Sequence, residues 1–192
     1  MRPAVFLDRD DTLIVNRAQT AHTSHPGDLF DPALVQLTPG AGAACRDLKA
    51  AGFALVVVTN QGAVARGECT VAQVEATNSR MREVLLGVSG VDLDGVYYCP
   101  YHPGGGIAPW NIEHAWRKPA PGMFLAAAKD LAIDLARSWM IGDAERDIAA
   151  AIAAGLPLAH TILLAEPSLV RGGHKAAGMS EAAATILAYA AR

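Results

Sequence analysis

Residues 53–60, Phe-Ala-Leu-Val-Val-Val-Thr-Asn, are the stretch that decides the fold. The apolar run at 53–58 is rich in β-branched residues and does not alternate with polar ones, which predicts a strand buried on both faces. The preceding segment at 40–51 predicts a helix, with Pro39 before it and Gly52 after it as a stop signal. A helix followed by a doubly buried strand is typical of an α/β protein with a parallel sheet.

The same alternation extends towards both ends of the chain. Thr70-Val71-Ala72-Gln73 fits the capping-box pattern and opens a helix whose apolar residues follow at helical spacing. The other predicted strands are 4–7, 93–98, 139–141 and 158–164, and the other predicted helices are 121–131, 144–154 and 181–191. This order predicts an α/β, doubly wound, Rossmann-like parallel sheet with helices on both faces. No linker, repeat or large insertion interrupts it, so we expect residues 1–192 to form a single domain without a cap domain.

Composition excludes several classes of protein. The 192 residues are 52% hydrophobic and 18% charged, which is too apolar for a disordered chain and enough for a substantial core. No apolar run approaches the roughly 20 residues of a membrane helix, and no signal peptide is visible. The three cysteines do not make a disulfide framework, so we expect a reduced, cytoplasmic protein. The net charge of −3 disfavours nucleic acid and membranes as partners, and we expect a monomer that binds a small molecule.

Polar side chains follow four of the predicted strands. In open α/β sheets, ligands bind beyond the carboxyl ends of the strands, so these side chains should meet in one crevice. Each group alone is typical of a turn, a helix cap or a surface segment, and only their order along the chain favours a shared site. The groups are Asp8-Arg9-Asp10-Asp11-Thr12, Thr59-Asn60, Arg117-Lys118-Pro119 and Gly142-Asp143, with Asp147 four residues further on.

The residue types in this crevice suit phosphoryl transfer to a carboxylate. Asp8 and Asp143 offer the hard oxygen ligands that Mg²⁺ prefers. Asp8 can attack phosphorus and form an aspartyl-phosphate, while Asp10 can protonate the leaving alkoxide and then activate the hydrolytic water. Thr59 can hold phosphate oxygens, and Lys118 can offset negative charge in the transition state and keep Asp8 ionised.

The motifs resemble those of the haloacid dehalogenase-like (HAD) phosphohydrolases, at residues 6–12, 58–61, 117–119 and 141–143. The neighbouring segments 65–67, 97–103 and 121–123 are similar to the D-glycero-D-manno-heptose 1,7-bisphosphate phosphatase branch, which also includes histidinol-phosphate phosphatases. The resemblance covers about residues 3–165. It implies a HAD-like, Mg²⁺-dependent phosphatase that acts on a small phosphorylated sugar, with the 7-phosphate of the heptose bisphosphate as the expected target. Histidinol phosphate and other sugar phosphates are the alternatives.

The resemblance also implies a role for each matched residue. Asp8 would be the nucleophile and a metal ligand, Asp10 the acid/base with its backbone carbonyl on the metal, and Asp143 the third metal ligand. Thr59 and Lys118 would hold the phosphoryl group. The substrate-binding residues would be Asn16, Asn60, Gln61 and Arg117.

The chain departs from the family pattern at three places. Position 11 is Asp where the branch usually has Gly or Asn, and residues 16–19 lack the expected acidic and aromatic side chains. Many branch members also hold a structural Zn²⁺, whereas this chain keeps only Cys99 of the four ligands. Cys99, His102 and His114 could form only a partial site, so we expect no zinc and expect Trp110 and Trp116 to pack the loop at 100–116 instead.

A receiver-like signalling module is the non-enzymatic alternative. Receiver domains also combine a doubly wound sheet with a phosphorylated Asp, Mg²⁺, a Thr and a Lys. They lack an acid/base two residues after the phosphorylated Asp, so the presence of Asp10 favours the enzyme.

Overall fold

The computed structural model describes residues 1–164 and 173–191. Within these residues, six strands form one sheet in the order β3-β2-β1-β4-β5-β6, and every neighbouring pair is parallel. The strands are β1 (Ala4–Leu7), β2 (Ala54–Asn60), β3 (Gly95–Cys99), β4 (Trp139–Gly142), β5 (Thr161–Leu164) and β6 (His174–Ala176). The chain order reverses at β1, so the carboxyl end of β1 lies at the switch point where open α/β sheets bind ligands.

In the described part of the chain, five longer α-helices cover the sheet and two short α-helices lie in its loops. The long ones are α2 (Ala41–Ala50), α4 (Val71–Ser89), α5 (Gly122–Asp130), α6 (Glu145–Ala153) and α7 (Met179–Ala190), and the short ones are α1 (Arg17–Thr20) and α3 (Ala63–Arg66). The predicted capping box is present at the start of α4, where the Thr70 hydroxyl accepts from the Gln73 backbone N–H. Among the described residues, no helix combines the length and the apolar character that crossing a bilayer requires.

Two hydrophobic layers sandwich the sheet because successive strand residues point to opposite faces. Val5 and Leu7 of β1 pack with α2, α4 and α7 on one face. Ala4 and Phe6 pack with α5 and α6 on the other face, where the Phe6 and Phe124 ring centroids are 4.7 Å apart. The doubly wound parallel architecture predicted from the sequence is therefore confirmed.

The structure differs from the sequence prediction at the β5–β6 edge. The predicted strand at 158–164 begins late, because Leu158–His160 forms a 3₁₀ turn and the strand starts at Thr161. The short strand β6 was not predicted, since its sequence His-Lys-Ala carries only one buried apolar residue. Neither difference reaches the carboxyl ends of β1, β2 and β4.

Candidate active site

A cavity of about 400 Å³ opens at the carboxyl ends of β1, β2 and β4. The backbone N–H of Asp8 continues the β1–β4 pairing by donating to the Ile141 carbonyl at 2.9 Å, which fixes the start of the loop after β1. The loop residues that follow β2 and β4 reach the same cavity. Most of the residues that we predicted to form the site line it, namely Asp8, Asp10, Asn16, Thr59, Asn60, Arg117, Lys118 and Asp143.

Lys118 connects two buried carboxylates at the floor of the cavity. Its Nζ lies 2.7 Å from Asp8 Oδ1 and 2.6 Å from Asp147 Oδ1, and it also donates to the Val58 carbonyl at 2.7 Å. Burial alone would lower the pKa of Lys118, but the charges of Asp8 and Asp147 outweigh it and raise that pKa. Lys118 is therefore a fixed ammonium ion that orients the carboxylate of Asp8.

Asp147 is a site residue whose role is not predictable from the sequence. Its side chain is fully buried, and burial followed by repulsion from Asp8 raises its pKa to about 6. Its Oδ2 accepts from the Ala144 N–H at 3.1 Å, which anchors the start of α6. Gly142 makes room for it, since a Cβ atom at position 142 would lie 2.6 Å from Asp147 Cβ. The spacing of Asp147 four residues after Asp143 was the available signal, but its contact with Lys118 depends on the tertiary fold.

Asp10 lies beside Asp8 in a network built on a buried arginine. Its Oδ1 accepts from Arg9 Nη2 at 3.0 Å, and its Oδ2 accepts from Gln61 Nε2 at 2.8 Å. Burial raises the pKa of Asp10 and the charge of Asp8 adds to the rise, while Arg9 lowers it. A carboxyl group with a raised pKa retains a proton to higher pH, as a general acid requires. Gln61 thus lies behind Asp10 and is not among the residues that line the cavity.

The remaining predicted site residues have structural partners as well as access to the cavity. Asn60 accepts from the Lys118 N–H at 2.9 Å and donates to the Lys118 carbonyl at 3.0 Å, so it fixes the backbone that carries the lysine. Asn16 donates from Nδ2 to the Gly27 carbonyl at 2.6 Å, and Arg117 donates from Nη1 to the Tyr101 carbonyl at 3.1 Å. The amide group of Asn16 and the guanidinium group of Arg117 therefore hold the loops that surround the cavity.

Three aspartates could hold a divalent cation. Asp8, Asp143 and Asp147 each offer an oxygen, and these atoms lie within 4.8 Å of one another. Asp143 Oδ1 is buried and has no hydrogen-bond partner among the described residues, while its Oδ2 accepts from Arg17 Nη2 at 2.9 Å. An orphaned carboxylate oxygen beside two other carboxylates fits a hard cation such as Mg²⁺. The side-chain cluster contains Asp147, whereas the sequence prediction of metal ligands was Asp8, Asp10 and Asp143.

Aromatic stacking fills the loop at 100–116. The rings of Tyr101 and His114 stack at 4.0 Å and 8°, and Trp110 packs edge-on against Tyr101 at 5.0 Å. Trp116 packs against Tyr97 at 6.0 Å, and Cys99 is fully buried. The predicted packing by Trp110 and Trp116 is present, and the absence of zinc stays a prediction.

Comparison with known proteins finds similarity over nearly the whole chain. A family model described as HAD-hydrolase-like matches residues 115–184. The D-glycero-beta-D-manno-heptose-1,7-bisphosphate 7-phosphatase of Yersinia pestis is 42% identical over 170 residues, which is 88% of this chain and 85% of that protein.

Two crystal structures are similar in fold and sequence. A HAD-like phosphatase of Mesorhizobium loti superposes with a TM-score of 0.80 at 37% identity, over 96% of this chain and 86% of that one. The D,D-heptose 1,7-bisphosphate phosphatase of B. bronchiseptica, complexed with magnesium and phosphate, gives a TM-score of 0.76 at 28% identity, over 97% and 99% of the two chains.

Proposed function

The chain belongs to the HAD-like phosphatase family of the D-glycero-beta-D-manno-heptose-1,7-bisphosphate 7-phosphatases, and from this premise we propose that it removes the 7-phosphate of that bisphosphate. It is a phosphoric monoester hydrolase, and the proposal concerns its substrate, its metal and the roles of its residues. The observation that carries the proposal is the contact between Lys118 and Asp8 at the floor of the cavity, with Asp10 two residues away.

In the first half-reaction, Asp8 attacks the phosphorus atom of the 7-phosphate. Lys118 holds Oδ1 of Asp8, which leaves Oδ2 to form the new bond to phosphorus. As the bond from phosphorus to the sugar oxygen breaks, Asp10 donates its proton to that oxygen. The products are an aspartyl-phosphate on Asp8 and the sugar alcohol.

In the second half-reaction, Asp10 is ionised and takes a proton from water. That water attacks the phosphorus atom, and the bond between phosphorus and Asp8 breaks to release phosphate. Thr59, at the end of β2, holds the phosphoryl oxygens, and the positive charge of Lys118 offsets the negative charge that develops beside Asp8. Mg²⁺ held by Asp8, Asp143 and the backbone carbonyl of Asp10 would supply the positive charge that offsets the carboxylates and the phosphoryl group.

The charge of the cavity rim supports a bisphosphate substrate. Arg17, Arg66, Arg117 and Arg146 all line the cavity, although its floor is acidic. Burial lowers the pKa of Arg117, and the nearby positive charge of Arg146 lowers it further. A second phosphate on the substrate would relieve this repulsion between like charges. We propose that residues 1–192 form one capless domain, so that these loop residues alone meet the sugar.

The test is phosphate release with Mg²⁺ from both anomers of the heptose bisphosphate, histidinol phosphate and fructose bisphosphate. A preference of 100-fold or more in kcat/KM, about 2.7 kcal/mol, for one heptose anomer would support the proposal. The same preference for histidinol phosphate would overturn the proposed substrate assignment but would leave the proposed phosphatase chemistry unchanged. The Asp8→Asn variant is the control, since phosphate release that persists in this variant would overturn the assignment of Asp8 as the nucleophile.

A further inference from the structure

Arg17 contacts a carboxylate of the proposed metal site directly. Its Nη2 donates to Asp143 Oδ2 at 2.9 Å, and its Nη1 lies 3.3 Å from Asp11 Oδ2. The Arg17 side chain is 69% exposed, whereas the Asp143 side chain is 7% exposed. An exposed guanidinium thus covers one oxygen of a buried carboxylate whose other oxygen is the candidate for the metal.

Asp11 explains why Arg17 lies at the cavity. The Asp11 carboxylate accepts from the backbone N–H of Asn16 at 2.9 Å and of Arg17 at 3.1 Å, which anchors the first turn of α1. Asp11 itself adopts a φ of 54°, a left-handed conformation that Asp tolerates better than most residues. The aspartate at position 11 therefore fixes the start of the loop from which Arg17 reaches Asp143.

The two buried cations of the site are engaged with other carboxylates. Lys118 is shared by Asp8 and Asp147, and the buried guanidinium of Arg9 pairs with Asp10. Asp143 is left with Arg17 as its direct ion-pair partner among the described residues. A divalent cation on Asp143 would repel Arg17, so metal binding and this ion pair oppose each other.

We propose that Arg17 is an exchangeable counter-ion, which pairs with Asp143 before a divalent cation binds and turns to the substrate phosphate once the cation is present. The inference rests on the proposed function, because it needs a metal and a phosphate in the same cavity. The exposed side chain can rotate without unpacking the core, and a guanidinium group suits a bidentate contact with phosphate.

The proposal makes Arg17 act in opposite directions on two ligands. In Arg17→Gln, Mn²⁺ should bind to the protein on the order of 10-fold more tightly, because its competitor for Asp143 is gone. Inorganic phosphate, added with saturating Mn²⁺, should bind on the order of 10-fold more weakly, because it loses the guanidinium. Mn²⁺ binding is measured by electron paramagnetic resonance and phosphate binding by calorimetry, neither of which needs turnover. A purely structural role for Arg17 would not move the two affinities in opposite directions.

Arg146→Gln is the matched control. Arg146 lines the same cavity and its loss removes the same charge, but it forms no ion pair with a described residue. Its effect on the Mn²⁺ affinity should therefore be clearly smaller than that of Arg17→Gln. Arg17→Lys keeps the charge, so its Mn²⁺ affinity should stay close to that of the wild type. Equal shifts in the two glutamine variants would overturn the proposal, and so would weaker Mn²⁺ binding in Arg17→Gln.

The failure of this inference and that of the proposed function give different results. Wild-type protein that binds Mn²⁺ and releases phosphate from the heptose bisphosphate, with both affinities unchanged in Arg17→Gln, would overturn only the role of Arg17. Wild-type protein that binds no Mn²⁺ in the cavity would overturn the role of Arg17 and the proposed metal site, whereas wild-type protein that releases no phosphate from the heptose bisphosphate would overturn the proposed substrate. Circular dichroism on each variant verifies that the fold is retained.

Discussion

The Lys118→Met substitution would leave two buried carboxylates without their shared cation. Lys118 Nζ lies 2.7 Å from Asp8 and 2.6 Å from Asp147, and all three side chains are at least 95% buried. At an effective dielectric constant of about 20, each contact has a Coulomb energy of about 6 kcal/mol, which the desolvation of the charges largely offsets. Removing one partner of a buried pair costs about 3–5 kcal/mol, and the loss of two contacts favours the upper value. For a chain of this size, about 5 kcal/mol lowers Tm by roughly 10–20 °C.

Urea unfolding at pH 8 and pH 5, followed by circular dichroism, measures this cost. Lys118 lowers the pKa of Asp147, so without the lysine, burial and repulsion from Asp8 should raise the folded-state pKa of Asp147 further above the unfolded value of about 3.9. A raised folded-state pKa gives stability that is present at low pH and is lost as pH rises. The unfolding free energy that Lys118→Met loses relative to the wild type should therefore be smaller at pH 5 than at pH 8. The double variant Lys118→Met/Asp147→Asn should recover part of the lost unfolding free energy, because it removes one of the two unpaired carboxylates. An unfolding free energy within about 1 kcal/mol of the wild type at pH 8, or a deficit that grows at pH 5, would refute the reasoning.

Three further predictions test other parts of the site. Asp10→Asn should slow both half-reactions by about 10²- to 10⁴-fold, and normal burst and steady-state rates would remove its acid/base role. Gly142→Ala should cost roughly 1–3 kcal/mol of stability because its Cβ would overlap Asp147, and an unchanged Tm would contradict that steric argument. Since the pKa of Asp147 is about 6 in the folded protein and 3.8 is its ordinary value, stability should fall as pH rises from about 4 to about 6. In Asp147→Asn, the unfolding free energy should change less with pH over that range. An identical slope in the variant would mean that another group causes the pH dependence.

The central strands are predictable from the sequence because burial on both faces leaves an unbroken apolar run. The segment at 54–58 is such a run, and the structure places it in β2 next to β1. The edge strand β6 has one neighbour and three residues, two of them polar, so it leaves no comparable pattern. Its pairing with β5 is decided by tertiary contacts that no local pattern records.

In the candidate site, too, the sequence records local features but not the contacts that the tertiary fold creates. Asp8 and Asp143 follow strands and could be found by position, whereas the partners of each charge are distant in the sequence. Lys118 is 110 residues from Asp8, and Arg17 is 126 residues from Asp143. Gln61 follows β2 like a lining residue, yet its amide turns to Asp10 and Thr59. Sequence position therefore indicates which residues approach the site, and the fold decides which of them face the substrate.

The exposure of each cation separates two kinds of role in this site. Arg9 and Lys118 are almost completely buried, so moving either would expose a carboxylate to an unpaired, poorly solvated state. They can hold Asp10 and Asp8 in place but cannot leave them during a catalytic cycle. Arg17 is mostly exposed. When its ion pair with Asp143 opens, water can solvate the guanidinium group and the outer face of the cavity. The exposed pair is therefore the one that a metal ion and a phosphate can open, while the buried pairs hold Asp8, the proposed nucleophile, and Asp10, the proposed acid, in position.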